Sequence, residues 1–247
     1  MVPNVVNPLE DDEPPKKKLV VFFLVDTSGS MYGDRIGQVN NAVKEALPEI
    51  RNLGGADADI YFAPLTFGAS VNWVYPKPEP VATATWKSLD ADGMTPLGEA
   101  FNALNLKLSR NEYLASPSGS FAPVIFLLTD GYPNDDWQTG LKKLKNNSWF
   151  KKSLKIGVGI GNDSDMNMIR EFCSDRELAI NLTNGEDLGK MVKFILVTSS
   201  EIGSRSVGVE DLSNVPEEEE NKTKQDAMID QLKNFKSQDY DDLNAGF

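Results

Sequence analysis

Residues Asp26-Thr27-Ser28-Gly29-Ser30 place one carboxylate and two hydroxyls at alternate positions, in an Asp-x-Ser-x-Ser pattern. Such a cluster suits a hard cation such as magnesium, which takes an all-oxygen shell. The set carries little charge. A cation held by neutral hydroxyls and few carboxylates stays electrophilic and can accept one more carboxylate from outside. The chemistry implied is docking, not caging of a structural ion. A plainer reading is that Asp26, Ser28 or Ser30 caps the helix that follows.

The cluster must be positioned by what precedes and follows it. Before it runs Leu19-Val20-Val21-Phe22-Phe23-Leu24-Val25, continuous rather than alternating. That pattern predicts a parallel strand buried on both faces, over roughly Lys18 to Val25. After it, Ile36, Val39, Val43, Leu47 and Ile50 recur at helical spacing over Asp34 to Leu53. Pro48 is expected to kink or split that helix, and Gly54-Gly55 to stop it. Asp59 to Phe67 and Val71 to Tyr75 read as an antiparallel pair at a sheet edge. A helix follows Pro96, with Thr95 as its cap. Val124 to Leu128 is a second buried strand. Further strands are expected at Leu154 to Ile160 and Leu178 to Leu182. Further helices are expected at Asp135 to Lys145, Met166 to Cys173 and Glu186 to Ser199.

Strands alternating with helices imply right-handed crossovers. The expected fold is α/β: a doubly wound, Rossmann-like, mostly parallel six-stranded sheet, with one antiparallel edge strand and helices on both faces. The second buried strand also ends in an aspartate, Asp130. In a sheet of order 3-2-1-4-5-6 the first and fourth strands are neighbours at the switch point, where ligands bind. Asp26 and Asp130 would meet there. The loop Asp92-Gly93-Met94-Thr95 can bring another hydroxyl to the same rim. Asp26, Ser28, Ser30, Thr95 and Asp130 then form an octahedral oxygen site, completed by water and an external ligand.

These residues resemble the metal-ion-dependent adhesion site of the von Willebrand factor A (VWA) domain. All five positions match, and the resemblance covers roughly residues 18–200. It implies that Ser28 and Ser30 bind metal directly. It implies that Thr95, Asp26 and Asp130 do so directly or through water, according to conformational state. The metal implied is magnesium, with manganese or calcium as alternatives. The partner implied is another protein supplying Asp or Glu. The stretch Gly93-Met94-Thr95-Pro96-Leu97-Gly98-Glu99-Ala100 is similar to bacterial TerY-type VWA proteins of tellurite-resistance and stress operons. That similarity implies a phosphosignalling setting beside a protein kinase or a PP2C-type phosphatase. The chain has one cysteine, Cys173, and so lacks the cysteine-rich zinc segment of some such relatives.

Other chemistries fit less well. The chain has no histidine, which excludes histidine bases, catalytic triads and histidine-ligated zinc. An enzyme is therefore not expected. The alternative is a metal-dependent phosphohydrolase of haloacid-dehalogenase type, which needs a second aspartate where Ser28 stands. No Gly-x-x-x-x-Gly-Lys-Ser/Thr loop is present. Asp163-Ser164-Asp165 reads as a helix start, since Met168 and Ser174 replace the glycine and glutamate of a calcium loop. Cys173 reads as a small core residue. Tyr32 and Trp137 closely follow metal-loop segments and read either as the border of the docking face or, with Trp73, as partly buried at the loop bases.

Of 247 residues, 1–17 are expected to be a disordered arm, 18–202 the domain and 203–247 an acidic, largely disordered tail. Residues 210–247 hold eleven acids and four bases, so this tail carries most of the net charge of −12. Within it, Met228, Leu232 and Phe235 form a thin stripe that needs a partner to be helical. The tail is a candidate partner-binding segment, or an occupant of another copy's metal site. Without a basic stripe, nucleic acid is not an expected partner. The apolar runs are strand-sized, so no membrane span is expected. Together with the single cysteine this gives a cytoplasmic expectation.

Overall fold

The computed structural model describes residues 16–53, 58–109, 119–173, 175–182, 187–204 and 217–244. The expected arm up to residue 15 and the Gly54-Gly55 stop lie outside these residues. The long apolar run forms β1 (Lys17–Asp26), whose last eight residues are all buried. Leu19, Val21, Phe23 and Val25 enter one core. Val20, Phe22 and Leu24 enter another on the opposite face. Two-sided burial explains why the run is continuous.

β1 pairs in parallel with β2 (Ala58–Phe67) on one side and β5 (Val124–Thr129) on the other. β6 (Leu154–Ile160) and β7 (Ala179–Leu182) extend the sheet beyond β5, also in parallel. β3 (Val71–Trp73) pairs antiparallel with β2 at the other edge. The order is β3-β2-β1-β5-β6-β7. The first core is covered by α1 (Asp34–Leu53), α6 (Leu188–Ser204) and α7 (Glu217–Asn244). The second is covered by α2 (Leu97–Lys107), α3 (Trp137–Asn146), α4 (Ser148–Lys152) and α5 (Met166–Phe172). This is the expected α/β architecture, mostly parallel with helices on both faces. Among the described residues no helix is long and apolar enough to cross a membrane.

Four details differ from the sequence expectation. A seventh strand, β4 (Glu79–Pro80), pairs antiparallel with β2 beyond β3. Val81 N–H donates to the Ile60 carbonyl at 3.0 Å, so the chain returns along the same edge after the prolines interrupt it. α1 is one element through Pro48. Pro48 faces solvent while Val43, Leu47 and Ile50 remain buried, so the carbonyl left without a donor lies on the wet side. Thr95 stands outside α2, and Pro96 holds the cap position without a side-chain bond. The expected disordered tail contains α7 in its described part.

α7 shows how the thin stripe is satisfied. Met228, Ile229 and Leu232 are buried in the first core. Phe235 stacks on Phe194 of α6, with ring centroids 4.3 Å apart. The partner the stripe needs is the domain itself. Asp165 caps α5 by accepting from the Asn167 and Met168 amides at 3.1 Å, as a helix start should. Cys173 ends α5, and burial pushes its thiol up to about 12. Trp73 packs edge-on against Phe22, and both Trp73 and Trp137 pack on the second core.

Removing the Leu232 side chain as Leu232→Ala should cost about 2–4 kcal/mol in urea unfolding. A change below a few tenths would mean that α7 does not stabilise the domain. Lys155 of β6 is 6% exposed, and its Nζ donates to the Phe150 and Ser153 carbonyls, both at 2.8 Å. Burial lowers its pKa from 10.5 to about 8. The unfolded chain therefore holds this proton more tightly, so stability should rise with pH between about 8 and 10.5. In Lys155→Met that rise, worth about 3 kcal/mol, should be missing from paired urea titrations.

Candidate metal centre

β1 and β5 deliver their last residues to the same edge of the sheet. Asp26 closes β1 with no exposed surface. Its Oδ1 accepts the Ser28 amide at 2.8 Å, and its Oδ2 accepts the Thr129 hydroxyl at 2.6 Å. These partners are neutral. Burial pushes the Asp26 carboxyl up to about 6, against the bonds from Ser28 and Thr129, and the nearby Asp130 charge adds to the rise. A cation at this carboxylate would offset that cost.

The chain then makes a short 3-10 turn over Gly29–Met31. Ser28 occupies the cap position but makes no side-chain capping bond. Instead its Oγ lies 3.0 Å from Ser30 Oγ, and Ser30 Oγ donates to Asp130 Oδ1 at 2.7 Å. Around a magnesium-sized ion with ligands at about 2.1 Å, adjacent octahedral oxygens stand roughly 3 Å apart. Ser28 Oγ, Ser30 Oγ and Asp130 Oδ1 thus follow one another at about that spacing, held there by their own hydrogen bonds. Asp26, Ser28 and Asp130 are buried, while Ser30 is exposed.

Thr95 reaches the rim by a different route. Its Oγ1 lies 3.7 Å from where a Cβ on Gly131 would stand, beside the Asp130 turn. Its amide donates to Asn134 Oδ1 at 2.9 Å, and its carbonyl accepts from the Asn134 amide at 3.2 Å. Asp135 accepts the Gly98 and Glu99 amides at 2.8 and 2.9 Å, closing the open N-terminus of α2. The loop after β5 therefore fastens the Thr95 loop to the Asp130 loop. On the other side, the Gly29 amide donates to the Gly93 carbonyl at 3.0 Å. Gly93 has φ +86°, and a Cβ there would stand 2.4 Å from Ala69, so only glycine fits.

Arg35, Thr129, Asn134 and Asp135 are not singled out by the sequence reading. Arg35 forms an ion pair with Asp130 Oδ2, and its Nη1 donates to the Ser30 carbonyl at 3.3 Å. A usable signal existed. Arg35 lies in the first turn of α1, where a cation opposes the helix dipole and needs another reason to be present. Of the aromatic candidates near the site, Tyr32 is 79% exposed, whereas Trp137 is partly buried against the core.

Among the described residues no group of three or more His, Cys, Asp or Glu side chains is placed to hold a metal. Any cation here depends on hydroxyls. The donor set, two carboxylates and three hydroxyls of which Asp130 already shares its charge with Arg35, suits a hard divalent ion left electron-poor.

The chain was compared with known proteins. The model of the von Willebrand factor type A domain matches residues 21–194. No match was found among curated proteins. Among solved structures, the pilus adhesin SpaC from Lactobacillus rhamnosus GG superposes with a TM-score of 0.58 at 16% identity, covering 73% of this chain and 30% of that one. A von Willebrand factor type A protein from Catenulispora acidiphila gives 0.51 at 19% identity, covering 75% and 43%. Proximal thread matrix protein 1 from the mussel byssus, in a form with a zinc-occupied MIDAS motif, gives 0.54 at 16% identity, covering 75% and 46%. The chain spans less than half the length of each of these. At such identities the likeness concerns the fold. The family model, covering most of the chain, carries the assignment: this protein belongs to the von Willebrand factor type A domain family.

Proposed function

We propose that this chain is a metal-dependent protein-binding module. In this reading Asp26, Ser28, Ser30, Thr95 and Asp130 hold magnesium, or manganese or calcium in its place, and an Asp or Glu of another protein completes the shell. The observation that carries it is the oxygen chain Ser28–Ser30–Asp130, spaced at 3.0 and 2.7 Å beside a buried Asp26 whose described partners are neutral. When bound, the ion supplies a Lewis-acidic point for an incoming carboxylate. The residues do the rest. Asp26 and Ser28 anchor the inner side, Ser30 and Asp130 set the outer side, and Thr95 is fixed by Asn134. Arg35 draws charge from Asp130, which leaves the ion short of electrons and receptive to one more anion.

Hydrolysis is disfavoured by the same residues. The position two beyond Asp26 is a hydroxyl tied to Ser30, and there is no histidine to act as base. We also keep a cytoplasmic setting and a kinase or PP2C-type phosphatase partner, as in TerY-type tellurite-resistance systems, within this proposal. That part rests on the similarity of residues 93–100 and on the composition.

Titration calorimetry with magnesium and with manganese should show one bound ion, lost in Asp26→Ala and in Ser28→Ala. Equal uptake by either variant would sink the metal assignment. Asp135→Ala removes no ligand but unfastens the Thr95 loop. It should weaken manganese binding several-fold and lower stability by about 1 kcal/mol. Unchanged affinity would show that Thr95 does not need this support.

A further inference from the structure

Four large apolar side chains are prominently exposed among the described residues: Tyr32 at 79%, Met94 at 63%, Tyr132 at 65%, and Leu106 at 70%. Leu106 lies on α2, away from the site loops. The other three share an address. Tyr32 is two residues beyond Ser30, Met94 is one before Thr95, and Tyr132 is two beyond Asp130. Each of the three loops that bear candidate ligands therefore raises one apolar side chain into solvent. The loops are tied together by the Gly29–Gly93 backbone bond, the Ser30–Asp130 bond and the Thr95–Asn134 pair. The three side chains are therefore carried by loops that meet at one polar centre. A single exposed apolar residue needs no explanation, but a set confined to the loops around one polar centre does.

The charge around this centre narrows the partner. Asp34, Asp92 and Asp136, on or beside the same three loops, are exposed, and Arg35 is engaged with Asp130. A polyacidic segment would meet these carboxylates and be repelled. A single carboxylate flanked by apolar side chains would reach the ion while its neighbours cover Tyr32, Met94 and Tyr132. Tyrosine and methionine suit such a role, because both offer large apolar area and adapt to a partner's shape.

We infer that Tyr32, Met94 and Tyr132 form the specificity rim of the metal site, and that the occupant is a protein loop with one Asp or Glu set between apolar residues. This rests on the metal-dependent reading above and names the class of partner for the same site. It also argues against the chain's own run Glu217–Glu220 as the occupant in a second copy.

The test uses a displayed library of disulfide-closed loops with a fixed central aspartate and random flanks. It is panned on the full chain loaded with manganese and eluted with chelator. The eluted loops should be enriched in aromatic and aliphatic residues beside the aspartate. Their binding should fall at least about tenfold on the Tyr32→Ser/Met94→Ser/Tyr132→Ser variant. That variant removes only exposed side chains and should take up manganese like the parent in calorimetry. Recovery of loops with unselected or polyacidic flanks, equal binding to the variant, or no chelator-eluted loops would each overturn the rim. Manganese uptake by the parent separates this failure from failure of the site itself. If the parent binds the ion, the site stands without the rim, and if it does not, both fall.

Discussion

The arrangement of this domain turns on one unfavourable placement, a carboxylate with no exposed surface at the end of a strand buried on both faces. Asp26 receives hydrogen bonds from Ser28 and Thr129, yet burial still raises its pKa. Neutral donors soften the loss of water around a charge but do not cancel it. Asp130 is treated differently, because Arg35 reaches it from α1. The protein thus gives one of its two paired carboxylates a resident cation and leaves the other with neutral partners. An asymmetry of this kind has a physical rationale if a second positive charge arrives from solution. Ser28 Oγ, Ser30 Oγ and Asp130 Oδ1 already stand near the spacing that ligands of a small divalent ion take.

The scaffold makes that placement tolerable by being stiff. β1 and β5 lie side by side at the sheet's switch point, and their crossovers leave on opposite faces. That divergence opens the cleft. Three loops then close around it through bonds that are mostly backbone or short side chain to backbone. Gly93 permits close approach to Ala69, and Gly98 does the same where α2 meets the Asp135–Asp136 turn, since a Cβ there would stand 2.7 Å from the Asp136 carbonyl. Apart from Arg35, long flexible side chains play little part. Oxygen ligands presented by fixed loops lose little conformational entropy on binding an ion.

Much of this was legible in the residues, and the limits are instructive. β1 announced itself because two-sided burial demands an unbroken apolar run. The meeting of Asp26 with Asp130 followed from crossover handedness and strand order, which constrain topology strongly. What escaped were features with no local pattern. The Arg35–Asp130 pair spans 95 positions and depends on a side chain reaching between elements. β4 is two residues long, too short for any periodicity. The stripe Met228, Leu232 and Phe235 could be read as one side of a helix, but not the surface that buries it, since that surface is assembled from other elements of the fold. The split that Pro48 could have caused is absent for a related reason. Its cost depends on which side of α1 faces water, and tertiary packing decides that.

The same physics bears on whether such a site binds or reacts. Catalysis at a cation needs a base or nucleophile aligned with a substrate atom, and groups that favour the transition state over the ground state. Here the oxygens nearest the candidate ion are already bonded to one another. Binding makes the opposite demand. It gains from ligands preset at the right spacing, from an ion kept short of charge by the Arg35 pair, and from apolar side chains at the rim that exclude water from the last bond. The bonded oxygens and the exposed apolar side chains of the neighbouring loops are present in this chain, and both fit the binding reading proposed above.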